Sequence, residues 1–161
     1  MKVLELFAGS RSIGKVAENL GHEVFSVDIN NFEGINLVAD IEFLTINDLP
    51  FIPDCAWASP MCTTYSIAAI STHRDNGKPK TEFAKKSDRV VKNTLKLFSD
   101  ILTLNPNFIW YLENPRGYLR KMSFMIGIPK TTVWYCKYGD IRAKPTDIFS
   151  NNIYNLFNEN G

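Results

Sequence analysis

The feature that most constrains the fold is an alternation of short apolar segments with amphipathic ones. Helical spacing of apolar residues predicts a helix from Ile13 to about Leu20, after the turn 8–12 and ended by Gly21, and a second over about 83–104. Strands that alternate with helices are joined by right-handed crossovers, which favours an α/β fold with a mostly parallel sheet and helices on both faces. The predicted strands, several of which end near a carboxylate or a proline, are 2–7, 23–29, 36–41, 54–59 and 108–112, with two later candidates at 131–138 and 146–149.

Length and composition narrow the class of protein. The chain has 161 residues, which suits a single domain over 1–161. No apolar run has the length of a membrane span, and the first residues predict a core strand and not a signal peptide. Three cysteines are too few for a disulfide framework or a four-thiolate zinc site. We therefore expect a reduced, cytoplasmic protein with no metal and no membrane partner.

The charge is unevenly distributed along the chain. Residues 1–60 carry 3 basic and 9 acidic side chains, a net charge of −6, whereas residues 61–161 carry 15 and 8, a net charge of +7. Such asymmetry favours a polyanionic partner on one side of the fold. The same split also arises when the two parts simply mix in space within one domain, and both interpretations stay open here.

Polar residues at the predicted strand ends indicate a nucleoside-binding site. In a parallel sheet, ligands bind beyond the carboxyl ends of the strands. Gly9, in the turn after the first strand, allows a ligand to approach the backbone, although the turn lacks the full dinucleotide fingerprint. Asp28 ends the second strand, where a carboxylate often binds ribose hydroxyls. Asp40 ends the third strand and could accept a hydrogen bond from an adenine amino group.

Two further residues at strand ends could carry chemistry. Cys62 follows the fourth strand, where partial exposure and nearby basic groups favour a thiolate, although a lone cysteine is more often a small buried residue. Glu113 follows an apolar strand, and partial desolvation would favour its protonated form, which could donate to a ring nitrogen. A solvated loop glutamate is the alternative.

These motifs together resemble the DNA cytosine-5 methyltransferase family, most closely the small forms of phages and prophages. The resemblance runs from about residue 3 to residue 149, and its specific part is the Pro-x-Cys motif followed by Glu-Asn-Pro. The motifs that carry it, in the family's order, are Leu6-Phe7-Ala8-Gly9, Ser59-Pro60-Met61-Cys62 with Tyr65-Ser66, Glu113-Asn114-Pro115, and Tyr138-Gly139 followed by Arg142-Ala143-Lys144-Pro145-Thr146-Asp147.

The resemblance implies a Rossmann-like fold of the S-adenosylmethionine-dependent methyltransferases and a covalent mechanism. Cys62 would attack C6 of a cytosine flipped out of duplex DNA, and Glu113 would bind the N3 and amino edge of the base. The implied catalytic residues are Cys62, Glu113, Asn114, Arg142 and Lys144. The implied S-adenosylmethionine-binding residues are Phe7, Ala8, Gly9, Ser10, Asp28, Ile29, Asp40, Ile41 and Pro60.

The basic residues after Cys62 have a corresponding interpretation. The family has a mobile catalytic loop at this point, and basic side chains there could contact DNA phosphates. Further basic residues follow Glu113, and some charges of the long helix would simply face solvent. The implied nucleic-acid-binding residues are Arg74, Lys78, Lys80 and Arg116.

The chain departs from the family at three points. Met61 stands where proline usually precedes the nucleophile. The three fixed positions of the family's Gln-x-Arg-x-Arg element fall on Arg142, Lys144 and Thr146, so lysine and threonine stand in place of its two arginines. The target-recognition region and final helix are missing, so a second chain would supply recognition, or specificity would be very low, or the protein would be a degenerate remnant. Two alternatives to a DNA methylase therefore remain: a weak or inactive homologue that binds S-adenosylmethionine or DNA as a partner or decoy, and a C5 methylase of nucleotides or RNA.

Overall fold

The structure is a computed structural model that describes residues 1–139, 141 and 143–152. Its strands are β1 (Lys2–Leu6), β2 (Glu23–Asp28), β3 (Leu37–Val38), β4 (Cys55–Ala58), β5 (Arg74–Asp75), β6 (Lys78–Pro79), β7 (Ile109–Pro115), β8 (Lys130–Trp134) and β9 (Pro145–Ser150). Its α-helices are α1 (Ser12–Asn19), α2 (Ile70–His73) and α3 (Glu82–Leu104). Single 3₁₀ turns span Ile46–Asp48, Thr63–Tyr65, Leu119–Lys121, Ser123–Met125 and Tyr135–Tyr138.

Seven strands form one mixed sheet in the order β3-β2-β1-β4-β7-β9-β8. The first five strands are parallel to one another, whereas β9 runs antiparallel to both β7 and β8. Helix α1 connects β1 to β2 in one direction along the sheet, and α3 lies on the path from β4 to β7 in the other. Right-handed crossovers in opposite directions place helices on opposite faces and create a switch point between β1 and β4. The predicted α/β class and the mostly parallel sheet are confirmed.

The core lies between the sheet and the buried side of α3. Val91, Phe98 and Ile101 recur at helical spacing on that side and are almost fully buried. The Phe98 ring stacks on Trp110 of β7 with ring centroids 5.1 Å apart. Thr81 precedes the helix and caps it, because its side chain accepts a hydrogen bond from the Ala84 N–H at 3.2 Å. This packing fixes α3 beside the carboxyl ends of the parallel strands.

The structure corrects several predicted boundaries. The third strand is only two residues long because Asn93 of α3 donates hydrogen bonds to the carbonyls of Ile41 and Leu44, which holds that segment as a loop. Strand β7 continues through Pro115 because β9 pairs with it there, so Glu113 lies within a strand and not after one. The predicted strand 131–138 divides into β8 and a 3₁₀ turn.

The chain also contains no candidate bilayer-spanning helix in the ranges that the structure describes, because none of those helices combines sufficient length with sufficient apolar character.

Candidate functional site

A cavity of about 310 Å³ opens at the carboxyl ends of the parallel strands, close to the switch point. Its volume lies at the lower end of the range for pockets that bind small molecules. Six of the nine residues predicted to bind the cofactor line it, whereas Ala8, Gly9 and Ser10 are not among its lining residues. The six are Phe7, Asp28, Ile29, Asp40, Ile41 and Pro60.

The turn between β1 and α1 has an unusual backbone beside this cavity. Phe7, Gly9 and Arg11 all have positive φ angles, at 57°, 50° and 59°. Glycine adopts this region freely, but for phenylalanine and arginine it is strained, and such strain often marks a ligand site. Asp28 ties the turn to β2, because its Oδ2 accepts a hydrogen bond from the Gly9 N–H at 3.0 Å.

A buried carboxylate that sequence reasoning missed binds the start of α1, directly after the turn between β1 and α1. Glu5, the second-last residue of β1, is 2% exposed. One of its oxygens accepts hydrogen bonds from the backbone N–H groups of Ile13 and Gly14 at 3.2 and 2.9 Å, and the other accepts from Ser26 Oγ at 2.7 Å. The first N–H groups of α1 are therefore already satisfied by a negative charge. This disfavours a phosphate at the start of α1. The sequence signal that could have identified Glu5 is a glutamate within an otherwise apolar strand.

The two predicted cofactor carboxylates are held in different ways. Asp28 is buried, and its Oδ1 accepts a hydrogen bond from the Asn30 N–H at 2.8 Å. Asp40 accepts from the Glu42 N–H at 3.0 Å and forms an ion pair with Lys86 at 2.6 Å. Although partial burial acts in the opposite direction, these hydrogen bonds lower the pKa of Asp40. Asp40 is thus an ionised acceptor on the cavity wall.

Helix α3 supplies one wall of the cavity, which sequence reasoning also missed. The lining residues on this helix are Phe83, Lys86, Ser87 and Val90. Their spacing of three and four residues is that of a single helix face, and this pattern could have identified them. Two basic residues of this helix form ion pairs with the loop after β3, Lys86 with Asp40 and Arg89 with Glu42.

The turn that carries Cys62 is joined to the strand that carries Glu113. Asn114 is 1% exposed, and its Nδ2 donates a hydrogen bond to the Pro60 carbonyl at 2.9 Å. Cys62 is half-buried and begins the turn Thr63–Tyr65, where its carbonyl accepts from the Tyr65 N–H at 3.0 Å. Because β4 pairs with β7, the residues that follow β4 lie beside the end of β7. The structure thus brings the predicted nucleophile's turn and the predicted acid onto neighbouring strand ends.

Glu113 lies in partly buried surroundings that favour its neutral form. Burial raises its pKa, an effect opposed by the Lys144 ammonium and by hydrogen bonds from Tyr135 and Ser59. The Tyr135 hydroxyl lies 3.3 Å from the carboxylate, and Lys144 Nζ lies 5.0 Å from the centroid of the same tyrosine ring. Lys144, which the resemblance implies to be catalytic, thus lies near Glu113. Arg142 lies outside the described residues.

Thr146 occupies the last position of the predicted Gln-x-Arg-x-Arg element. It is buried in β9 opposite Pro115, so its side chain lies on the same sheet face as Glu113. Among the described residues, Thr146 Oγ1 and Asn114 Oδ1 are the buried side-chain oxygens that have no hydrogen-bond partner. Because Asn114 alternates with Pro115 along β7, these two atoms lie on opposite faces of the sheet and do not face one common site.

The predicted nucleic-acid contacts divide into two groups. Lys78, Lys80 and Arg116 are exposed, as a phosphate contact requires. Arg74 is 3% exposed and forms an ion pair with Asp88 of α3, so the prediction that it contacts phosphate is wrong. The polar stretch that contains it, expected to be mobile, forms α2 and the hairpin β5–β6.

Comparison of the chain with models of known protein families and with curated proteins gives no match. In the part of the chain that the structure describes, no cluster of histidine, cysteine, aspartate and glutamate could hold a metal ion.

Proposed function

We propose that this protein transfers a methyl group from S-adenosylmethionine to C5 of cytosine in DNA. One observation carries the proposal: a cavity suited to a nucleoside and the two strand ends with Cys62 and Glu113 meet at Pro60. Pro60 lines the cavity and also accepts the hydrogen bond from Asn114, the neighbour of Glu113. The sheet order, with its one reversed strand, agrees with the Rossmann-like methyltransferase fold that the sequence resemblance implies.

The cavity walls fit the adenosine part of S-adenosylmethionine. Phe7, Ile29 and Ile41 offer apolar surface to the base, while Asp28 and Asp40 offer acceptors to the ribose hydroxyls and the adenine amino group. Glu5 already caps α1, which suits a cofactor that has no phosphate at this point. The cofactor supplies the electrophilic methyl group.

The remaining residues have roles in a covalent mechanism. The Cys62 thiolate adds to C6 of the cytosine, which makes C5 nucleophilic enough to take the methyl group. Glu113, whose pKa is raised by burial, donates a proton to N3 and so stabilises the negative charge that develops on the ring. Loss of the C5 proton to a base then expels the thiolate and restores the aromatic ring.

Trapping the covalent adduct tests this proposal directly. A duplex that contains 5-fluorocytosine should become covalently attached to the protein when S-adenosylmethionine is present, because fluorine at C5 blocks the final elimination. Cys62→Ser should abolish both the adduct and the transfer of labelled methyl groups, whereas Cys136→Ser, at an exposed cysteine, should change neither. Equal transfer by wild type and Cys62→Ser would exclude the mechanism. Parallel reactions with single-stranded RNA and free cytidine nucleotides identify the substrate class.

Thr146 supports a second candidate, a homologue that binds S-adenosylmethionine without catalysis. The family has an arginine at this position, and here the buried hydroxyl has no partner among the described residues. Calorimetric binding of S-adenosylmethionine without methyl transfer to DNA, RNA or nucleotides would select this candidate. In that case Asp28→Ala should abolish binding, and Cys62→Ser should leave it intact.

A further inference from the structure

A buried cluster of Tyr65, Arg74 and Asp88 holds the turn that begins at Cys62. Two Arg74 nitrogens donate to the two Asp88 oxygens at 2.6 and 3.1 Å, and the Tyr65 hydroxyl donates to Asp88 at 2.8 Å. The Arg74 guanidinium lies 4.4 Å from the centre of the Tyr65 ring. A bidentate pair with a stacked arginine is among the most directional contacts that side chains form.

The same arginine is bonded to the backbone of the Cys62 turn. Arg74 Nε donates to the Thr64 carbonyl at 2.9 Å, two residues from Cys62. On the other side of the turn, the Tyr65 carbonyl accepts from the Tyr118 N–H at 2.7 Å. A side chain at Gly117 would overlap that carbonyl, so the turn is packed closely from both sides.

Asp88 connects this cluster to the cavity. It follows Lys86 and Ser87, which line the cavity, on the same rigid helix α3. Burial, reinforced by the Asp88 charge, raises the pKa of Tyr65, so its hydroxyl stays a donor to Asp88 throughout the neutral range. The cluster therefore joins the wall of the cavity to the turn of the nucleophile through three side chains.

We propose that Arg74 and Asp88 are positioning residues that fix the Cys62 turn against α3 before any substrate binds. The turn of the predicted nucleophile is then held by contacts within the protein itself. The catalytic consequence rests on the function proposed above, whereas the fixing of the turn does not. A pair that served stability alone would leave the environment of Cys62 unchanged when it was weakened.

The test measures alkylation of Cys62 by iodoacetamide, read by peptide mass spectrometry in a Cys136→Ser background. Arg74→Lys keeps the charge but removes the fork that binds both Asp88 and Thr64. We expect the alkylation rate of Cys62 to rise about tenfold, the factor that corresponds to losing one hydrogen bond to a charged group. A rate profile against pH separates greater access from a changed thiol pKa. Ile101→Val, a core truncation on the same helix, controls for lower stability and should leave the rate unchanged.

Two results would overturn the proposal. One is an unchanged alkylation rate in folded Arg74→Lys, and the other is an equal rise in Ile101→Val. If Arg74→Lys does not fold, Asp88→Asn takes its place in the first of these results, because it removes the charge that holds the Arg74 guanidinium. With DNA, kcat should fall by up to about 10²-fold while KM changes little. Absence of methyl transfer in the parent protein would contradict the proposed function alone, since the alkylation result is independent of it.

Discussion

Replacing Asn114 by aspartate tests the contact that joins the two halves of the proposed active site. In the wild type, the Asn114 amide donates to the Pro60 carbonyl at 2.9 Å in a place that is 1% exposed. An ionised carboxylate would face that carbonyl oxygen with no proton to donate. A protonated one could donate its O–H and restore the bond. We therefore expect Asn114→Asp to bind a proton on folding.

The magnitude follows from this linkage. An unfolded aspartate has a pKa of about 3.9, so protonating it at pH 7 costs about 1.36 × 3.1, or about 4 kcal/mol. The destabilisation cannot exceed this ceiling and should approach it, because the site excludes water. In the variant, the pKa of the new aspartate is higher in the folded than in the unfolded protein. The variant is therefore as stable as wild type below about pH 4 and loses about 1.4 kcal/mol of stability per pH unit as the pH rises above that.

Urea unfolding followed by tryptophan fluorescence at pH 5, 6 and 7 measures this dependence. The difference from wild type should be about 1.5 kcal/mol at pH 5 and about 4 kcal/mol at pH 7. Asn107→Asp, the same change at an exposed loop residue, is the matched control and should stay within about 0.5 kcal/mol at every pH. A loss at Asn114 that is below about 1 kcal/mol and independent of pH would refute the reasoning, because it would mean that the amide does not donate to Pro60.

Three further predictions concern the turn, the acid and the DNA contacts. A glycine-to-alanine change normally stabilises a helix, but the Cβ added by Gly14→Ala would overlap the Glu5 carboxylate. Thermal denaturation should therefore show a loss of about 1–3 kcal/mol in the free energy of unfolding. Burial raises the pKa of Glu113, so Glu113→Gln should be more stable than wild type near pH 7, and the difference should vanish below about pH 4. DNA binding through the three exposed basic residues should weaken with salt at a log–log slope of about −2.7, and a slope near zero would exclude them.

Much of the fold could be predicted because its signals are local. Helix α3 was predicted within one residue of its start, since its continuous apolar face lies in the sequence itself. The end of β7 could not be predicted from the sequence, because its last residues belong to a strand only through pairing with β9, some thirty residues later. The third strand was predicted too long for a similar reason, namely the hydrogen bonds from Asn93 to the loop that follows it.

The candidate site was predictable where a residue type at a strand end implied its place. Asp28, Asp40 and Pro60 all line the cavity as expected. The residues that were missed act through tertiary contacts: Ser87 through the docking of α3, and Glu5 through the turn that brings α1 above β1. Arg74 was assigned to phosphate because its sequence neighbourhood is polar and basic, and only the fold pairs it with Asp88.

The charge asymmetry of the sequence also acquires a structural meaning. Two basic residues of the second part, Lys86 and Arg89, bind acidic residues of the first, Asp40 and Glu42, so part of the apparent separation cancels in space. These pairs hold the loop after β3 against α3 and so shape the cavity wall. Because internal pairing uses charges that could otherwise face a polyanion, the positive charge left for DNA is smaller than the net charge of the second part suggests. If the proposed transfer to DNA is correct, binding must then depend on contacts at the target base more than on phosphate attraction.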